Sequence, residues 1–193
     1  MALDVEKIAQ VGLSILNEVG LDGLSTRRLA AEMNVQGPAL YKHFRSKADL
    51  LDYMATAMLQ TTFADLDPTV HWTDWLRHLA AASRAGLRQY RDGARLLLAS
   101  SPAGPLRSQL IPSLANPLMA AGFEEHNARR ALATLANFVL GWVLNEQNEG
   151  TRTMMSAELR SIQGAFDEGV ETIVAGLVFR RALGSYPAPA VGA

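Results

Sequence analysis

Apolar residues recur at every third or fourth position along almost the whole chain, and the strict alternation of a half-buried strand is nearly absent. That period commits the chain to an all-α fold. Ile8, Val11, Leu13, Ile15, Leu16 and Val19 form one stripe. It begins after Asp4, whose carboxylate suits an N-cap, and stops at Gly20, which accepts the positive φ of a helix end. Ser25 opens a second, short helix with Leu29, Ala30 and Met33 on its inner face. Asn34 to Gly37 reads as a turn. Pro38 needs no amide hydrogen, so it suits the start of a third short helix reaching Phe44. Ser46 then caps a long fourth helix through Leu50, Leu51, Met54, Met58 and Leu59.

The second half keeps the pattern. Trp72, Trp75, Leu76, Leu79, Ala80, Ser83, Leu87 and Tyr90 share one helical face, which Asp92-Gly93 breaks. Pro102, Pro105, Pro112 and Pro117 predict a kinked or broken helix over 102–122. Two long helices follow, about 124–148 and 156–183, with 150–155 as their connection. The tail from Gly184, with Pro187 and Pro189, reads as disordered.

Composition excludes more than it selects. Of 193 residues 49% are hydrophobic, enough for a sizeable core, while 18 basic residues balance 19 acidic ones. Net charge therefore points to no polyanionic partner, and any such affinity must be local. Without cysteine there is no thiolate metal site and no thiol nucleophile. Acidic residues near the start fit no signal peptide, and the apolar run 138–144 is far short of the roughly 20 residues that span a bilayer. The expectation is a soluble, cytoplasmic protein with no membrane partner, no cofactor and no enzymatic role.

The local charge sits in the first quarter. Between Ser25 and Lys47, Arg27, Arg28, Lys42, Arg45 and Lys47 face Glu32 alone, giving +4, so the rest of the chain carries −5. A basic pair of short helices joined by a tight turn has the form of a helix-turn-helix, whose second helix enters the DNA major groove. Leu24-Ser25-Thr26-Arg27-Arg28-Leu29-Ala30 and Gly37-Pro38-Ala39-Leu40-Tyr41-Lys42-His43-Phe44-Arg45-Ser46-Lys47 resemble the corresponding stretches of the TetR family of regulators. That resemblance implies base-edge contacts from Arg27, Gly37, Pro38 and Ala39. It implies phosphate contacts from Thr26, Tyr41, Lys42, His43 and Lys47. Arginine can pair twice with guanine, and alanine or proline can touch a thymine methyl.

The remaining chain is similar to the tetracycline-repressor branch at Tyr90-Arg91-Asp92-Gly93-Ala94, Gly122-Phe123, Phe138-Val139-Leu140-Gly141 and Phe166-Asp167-Glu168-Gly169-Val170-Glu171. The resemblance implies a homodimer through the last two long helices, with Gly141, Gly169 and Gly176 suited to close approach. It divides the chain into a DNA-binding domain over 1–47 and a ligand-binding and dimerisation domain over 48–183. It further implies a repressor that a small effector releases from a palindromic double-stranded operator. The expected pocket wall is Phe63, Trp75, Leu79, Leu97, Ser101, Met119, Phe138 and Trp142. Phe63 and Leu97 carry no imidazole, and Leu79 cannot hydrogen-bond a ring substituent. The wall thus suits an apolar or aromatic effector rather than a magnesium–tetracycline chelate, which needs oxygen and imidazole donors. Two alternatives compete with this reading. One is a helical ligand-binding protein without DNA activity. The other is a small metal-dependent enzyme using His71, Asp74 and His78, whose spacing would share one helical face.

Overall fold

The structure, a computed structural model, describes residues 4–100, 108 and 110–183. Among these residues there is no strand. The helices are α1 Val5–Gly23, α2 Thr26–Glu32, α3 Gly37–Leu40, α4 Lys47–Phe63, α5 Trp72–Gln89 and α6 Gly93–Ala99. They continue as α7 Ile111–Ser113, α8 Asn116–Ala120, α9 Glu125–Gln147, α10 Glu149–Glu158 and α11 Ile162–Ala182. No helix among the described residues is long and apolar enough to cross a membrane. Ser101 and the tail 184–193 lie outside the described residues.

The caps set the helix starts. Asp4 accepts from the Glu6 amide, Ser25 from Arg28, Ser46 from Asp49 and Ser161 from Gly164, each satisfying an amide the first turn leaves free. Gly20 behaves as expected in conformation but not in consequence. Its φ of 72° and ψ of 177° interrupt α1, yet the helical assignment resumes for three more residues. The third helix is shorter than expected, ending at Leu40, with Tyr41–His43 in turns that close onto the Leu40 carbonyl. Pro102 and Pro105 lie outside the described residues; around Pro112 and Pro117 the chain is broken into the short helices α7 and α8.

The largest difference is the stretch taken for a connection over 150–155, which is helix α10. Asn148 leaves the α9 helix with extended dihedrals and its side chain accepts from the Thr151 amide, so a new helix starts at once. Asparagine is a strong N-cap residue, and that signal outweighs the breaker reading of Gly150. The last helix accordingly begins at Ile162, behind its own serine cap.

The core is continuous from head to body. In the head α1 packs on α4; in the body α5 lies between α4 and α9, with α11 against both α5 and α9. Leu16, Leu29, Met54, Leu76 and Leu118 have no measurable exposure. Buried polar side chains include Asp52 of α4 and Arg84 of α5. Arg84 of α5, with its side chain 6% exposed, forms a two-pronged pair with Glu146 of α9, at 3.1 and 2.5 Å. Its remaining nitrogen donates to Gln163 of α11, and the guanidinium lies 4.5 Å from the Phe166 ring centre. One side chain thereby holds three helices in register.

Head and body meet at the turn between α5 and α6. Asp92, itself in the left-handed region with φ 58°, accepts from the Leu21 amide at 2.9 Å. The Arg91 amide donates to Asn17, and its guanidinium to the Glu18 carbonyl. A Cβ on Gly20 would stand 2.7 Å from the Asp92 carboxylate, so both conformation and space demand glycine there.

Gly20→Ala is expected to lower stability by about 1–3 kcal/mol, the usual cost of forcing a side chain into so sparse a backbone region. Urea denaturation reads this as a lower midpoint at unchanged slope. Arg84→Ala strands a buried carboxylate and should cost about 3–5 kcal/mol, whereas Arg84→Met with Glu146→Leu should recover most of that loss.

Candidate nucleic-acid interface

Helices α1 to α3, packed on α4, form the head, with Leu29, Ala30, Leu40 and Phe44 turned into its core. The Phe44 ring meets Tyr53 of α4 edge-on at 5.5 Å. The turn between α2 and α3 closes the end of α2 with two backbone bonds. Val35 donates to the Ala30 carbonyl and Asn34 to Ala31, with Asn34 at φ 53°. This is the Schellman arrangement, and asparagine tolerates its left-handed position better than most residues. The turn therefore sets the angle between α2 and α3 without any ligand.

None of the expected contact residues is buried in the core. Arg27, Pro38, Tyr41, Lys42 and Lys47 are exposed, and Thr26, Gly37, Ala39 and His43 are half-buried. A Cβ placed on Gly37 would meet nothing within 4 Å, so a groove wall can approach the backbone there. The Thr26 hydroxyl stands 3.4 Å from the Tyr41 hydroxyl, which links the start of α2 to the end of α3. Both hydroxyls are thus held on the same open face. Tyr41 is 58% exposed, an unusual position for an aromatic side chain with no apolar neighbour to cover it.

The positive charges are not equivalent. Arg28, one residue on from Arg27 and so turned by about 100° around the helix, pairs with Glu18 of α1 at 3.6 Å. Its neighbour Arg27 stays on the outer face. The Lys47 ammonium donates to the Leu24 carbonyl at 2.8 Å, where α1 ends. Sequence reasoning assigned it to phosphate contact alone and missed this tether; a lysine has three donors, so one bond to the chain leaves two. The helix start behind it is fixed by reciprocal bonds. Ser46 accepts from Asp49, and the Asp49 carboxylate accepts from the Arg45 amide.

The residues expected to wall an effector pocket belong to one apolar cluster in the body. Trp75 and Leu79 are buried, and the Trp75 indole donates to the Leu114 carbonyl at 3.2 Å. Phe63, Leu97, Met119, Phe138 and Trp142 are half-buried against the same core. Phe138 and Trp142 stack with each other and with Phe166, and the Trp142 indole nitrogen is buried without a hydrogen-bond partner. Gly169 lets α11 approach this cluster within the chain, because a Cβ there would stand 2.4 Å from the Phe138 ring. Gly141 and Gly176, by contrast, face open space.

The possible metal triad does not assemble. His71 is the N-cap of α5 and lies outside the helical register of Asp74 and His78. Its ring bonds to Thr73, while Asp74 accepts from Arg77 at 2.8 Å. Among the described residues no three His, Asp or Glu side chains gather as a metal site would require.

Comparison with known proteins reaches both parts of the chain. Residues 8–54 match the family model for bacterial regulatory proteins of the tetR family. Residues 64–165 match that for the tetracyclin repressor-like C-terminal domain. The class A tetracycline repressor protein of transposon 1721 from Escherichia coli is 38% identical, over 93% of this chain and 92% of its own. A TetR variant from Acinetobacter baumannii AYE, solved with minocycline, superposes with a TM-score of 0.75 at 34% identity, covering 94% of this chain and 98% of that one. BioQ, solved with its double-stranded DNA operator, gives 0.71 at 29% identity, with 91% and 98% covered.

The Thr26–Tyr41 contact should be separable from the fold. Tyr41→Phe is expected to leave the melting temperature within about a degree, since an exposed hydroxyl contact contributes little. Differential scanning calorimetry of the free protein checks this.

Proposed function

Because the chain belongs to the tetR family of bacterial regulatory proteins, we propose that it is a ligand-responsive transcriptional repressor that binds a palindromic operator as a homodimer. The observation that carries this reading is the turn-locked pair α2 and α3, on or just after which Arg27, Pro38, Tyr41 and Lys42 stand exposed, with Lys47 exposed at the start of α4. Residues 1–47 act as the DNA-binding head and 48–183 as the sensing and dimerising body. Arg27 and the α3 start read base edges, while Thr26, Tyr41, Lys42, His43 and Lys47 hold phosphates.

Dimerisation has a ready surface. Thr172, Ala175, Gly176 and Phe179 lie exposed along one side of α11, with Leu183 just beyond its end. Phe179 is 65% and Leu183 59% exposed, a large apolar area at helical spacing. On α9 the half-buried Leu140, Gly141 and Leu144 extend the same character. Two such faces around a two-fold axis form an isologous four-helix contact. Half-sites about 34–36 Å apart then accept the paired recognition helices.

The effector belongs in the body, among Phe63, Trp75, Leu79, Leu97, Met119, Phe138 and Trp142. Their chemistry suits an apolar or aromatic molecule, and the absence of imidazole at Phe63 and Leu97 argues against a magnesium–tetracycline chelate. Helix α4 contacts both α1 and α6, so a change in the body reaches the head through one rigid element.

Selection of bound duplexes from random DNA by the purified protein should return one inverted repeat; recovery of no consensus would sink the operator reading. Against that site Arg27→Ala should cost about 1–3 kcal/mol and relax preference at the base pair it reads. Lys42→Ala should instead weaken all sequences alike and flatten the salt dependence by about 0.9 in log–log slope. Phe179→Glu should shift the protein from dimer to monomer in analytical ultracentrifugation.

A further inference from the structure

Two open clefts lie at the junction of the body with the head, apart from the apolar residues expected to wall an effector pocket. The first, about 410 Å³, opens between the end of α1 and the α5–α6 turn, lined by Gly20, Asp22, Arg88, Tyr90, Arg91 and Arg95 among others. The second, about 460 Å³, shares Asp92, Arg95 and Gln147 with it and continues along Asn145, Asn148 and Thr151. Each is the size of an ordinary small-molecule site.

The charges around the first cavity are unequally matched. Asp22 takes a two-pronged contact from Arg95 at 2.8 and 3.1 Å. Asp92 accepts from the Leu21 amide and lies 3.4 Å from the same arginine. Both carboxylates on the wall are therefore engaged. Arg88 and Arg91 are less fully matched. Arg88 pairs with Glu146 at 3.6 Å, on an oxygen that already accepts from Arg84, so one carboxylate serves two guanidinium groups. Among the described residues Arg91 has no carboxylate partner, and its guanidinium bonds the Glu18 carbonyl. The cavity lining thus holds three arginines, Arg88, Arg91 and Arg95, against the carboxylates of Asp22 and Asp92, with Tyr90 beside them.

We propose that this junction cleft is a binding site for a small organic anion, whose carboxylate or phosphate oxygens pair with Arg88 and Arg91. Paired oxygens match the fork of a guanidinium, and such charge-assisted bonds are the strong ones. The second cavity, where Leu144 stands beside Asn145, Asn148 and Thr151, accommodates the uncharged remainder of such a molecule. The site is separate from the apolar effector region and differs from it in ligand class. Its link to DNA rests on the proposed regulatory function. A ligand here touches the residues that bond α1 to the α5–α6 turn, so its occupation alters operator affinity.

Calorimetric titration of the full chain with citrate and, separately, with inorganic phosphate at constant ionic strength tests the site without DNA. Saturable binding of at least one, weakened tenfold or more in Arg88→Ala with unchanged circular dichroism, is expected. Arg91→Ala should weaken it likewise. Citrate alone binding assigns a carboxylate ligand, and phosphate alone a phosphorylated one. No binding of either up to about 10 mM, or equal binding by wild type and Arg88→Ala, overturns the proposal. A failed operator selection would leave this result readable, since no DNA enters it.

Discussion

A guanidinium cannot be taken out of water unless its charge and its donors are matched, and the Arg84 site meets that demand from three directions. Glu146 supplies the charge, Gln163 a further acceptor and Phe166 a ring face. Such a pair adds little net stability compared with well-packed apolar residues, but it tolerates almost no shift of one helix against another. Apolar contacts between α5, α9 and α11 are non-directional and tolerate small shifts. The Arg84 geometry does not. The placement of the aromatic cluster, the outward face of α11 and the start of α6 all follow from that register.

The head is attached by a different kind of contact. Its helices share the core through α4, and the α5–α6 turn joins α1 through polar bonds: Asp92 to Leu21, Arg91 to Asn17 and Glu18, and Arg95 to Asp22. The Arg95 guanidinium holds the Asp22 carboxyl below the usual carboxylate range, with Lys47 adding to the effect. Acidification through that lowered range would therefore remove the Asp22 contribution, which is present only while the carboxylate is charged.

Much of this was legible in the sequence. Asp4, Ser25, Ser46 and Pro38 announce helix starts because caps act within four residues, and Asn34 announces the turn for the same reason. The basic face of the head was readable because its residues fall within one short segment. What escaped was non-local or ambiguous. The bond from Lys47 to Leu24 joins residues that sequence spacing does not relate, and Arg84 looks like any surface arginine until α9 and α11 close over it. Asn148 could end a helix or begin one; in this chain it does both, and the α10 helix was hidden by the glycine beside it. Gly169 carries the signature of an interhelical contact, but periodicity alone does not say whether the partner is Phe138 or a second chain.

The polar attachment of head to body also sets the scale on which regulation can operate. Each hydrogen bond at the α5–α6 turn contributes about 1 kcal/mol net, somewhat more where a charge is involved. Coupling between an effector and DNA is typically about 1–3 kcal/mol. The strengthening or loss of two or three of these bonds therefore suffices, with no rearrangement of the packed core. Core packing resists continuous deformation, whereas a rim of polar bonds can exchange partners with water or with a ligand at small cost. A body held rigid by Arg84 and a head held by the Asp92 turn thus divide the work. The first preserves the shape of the body, and the second leaves the position of the head adjustable.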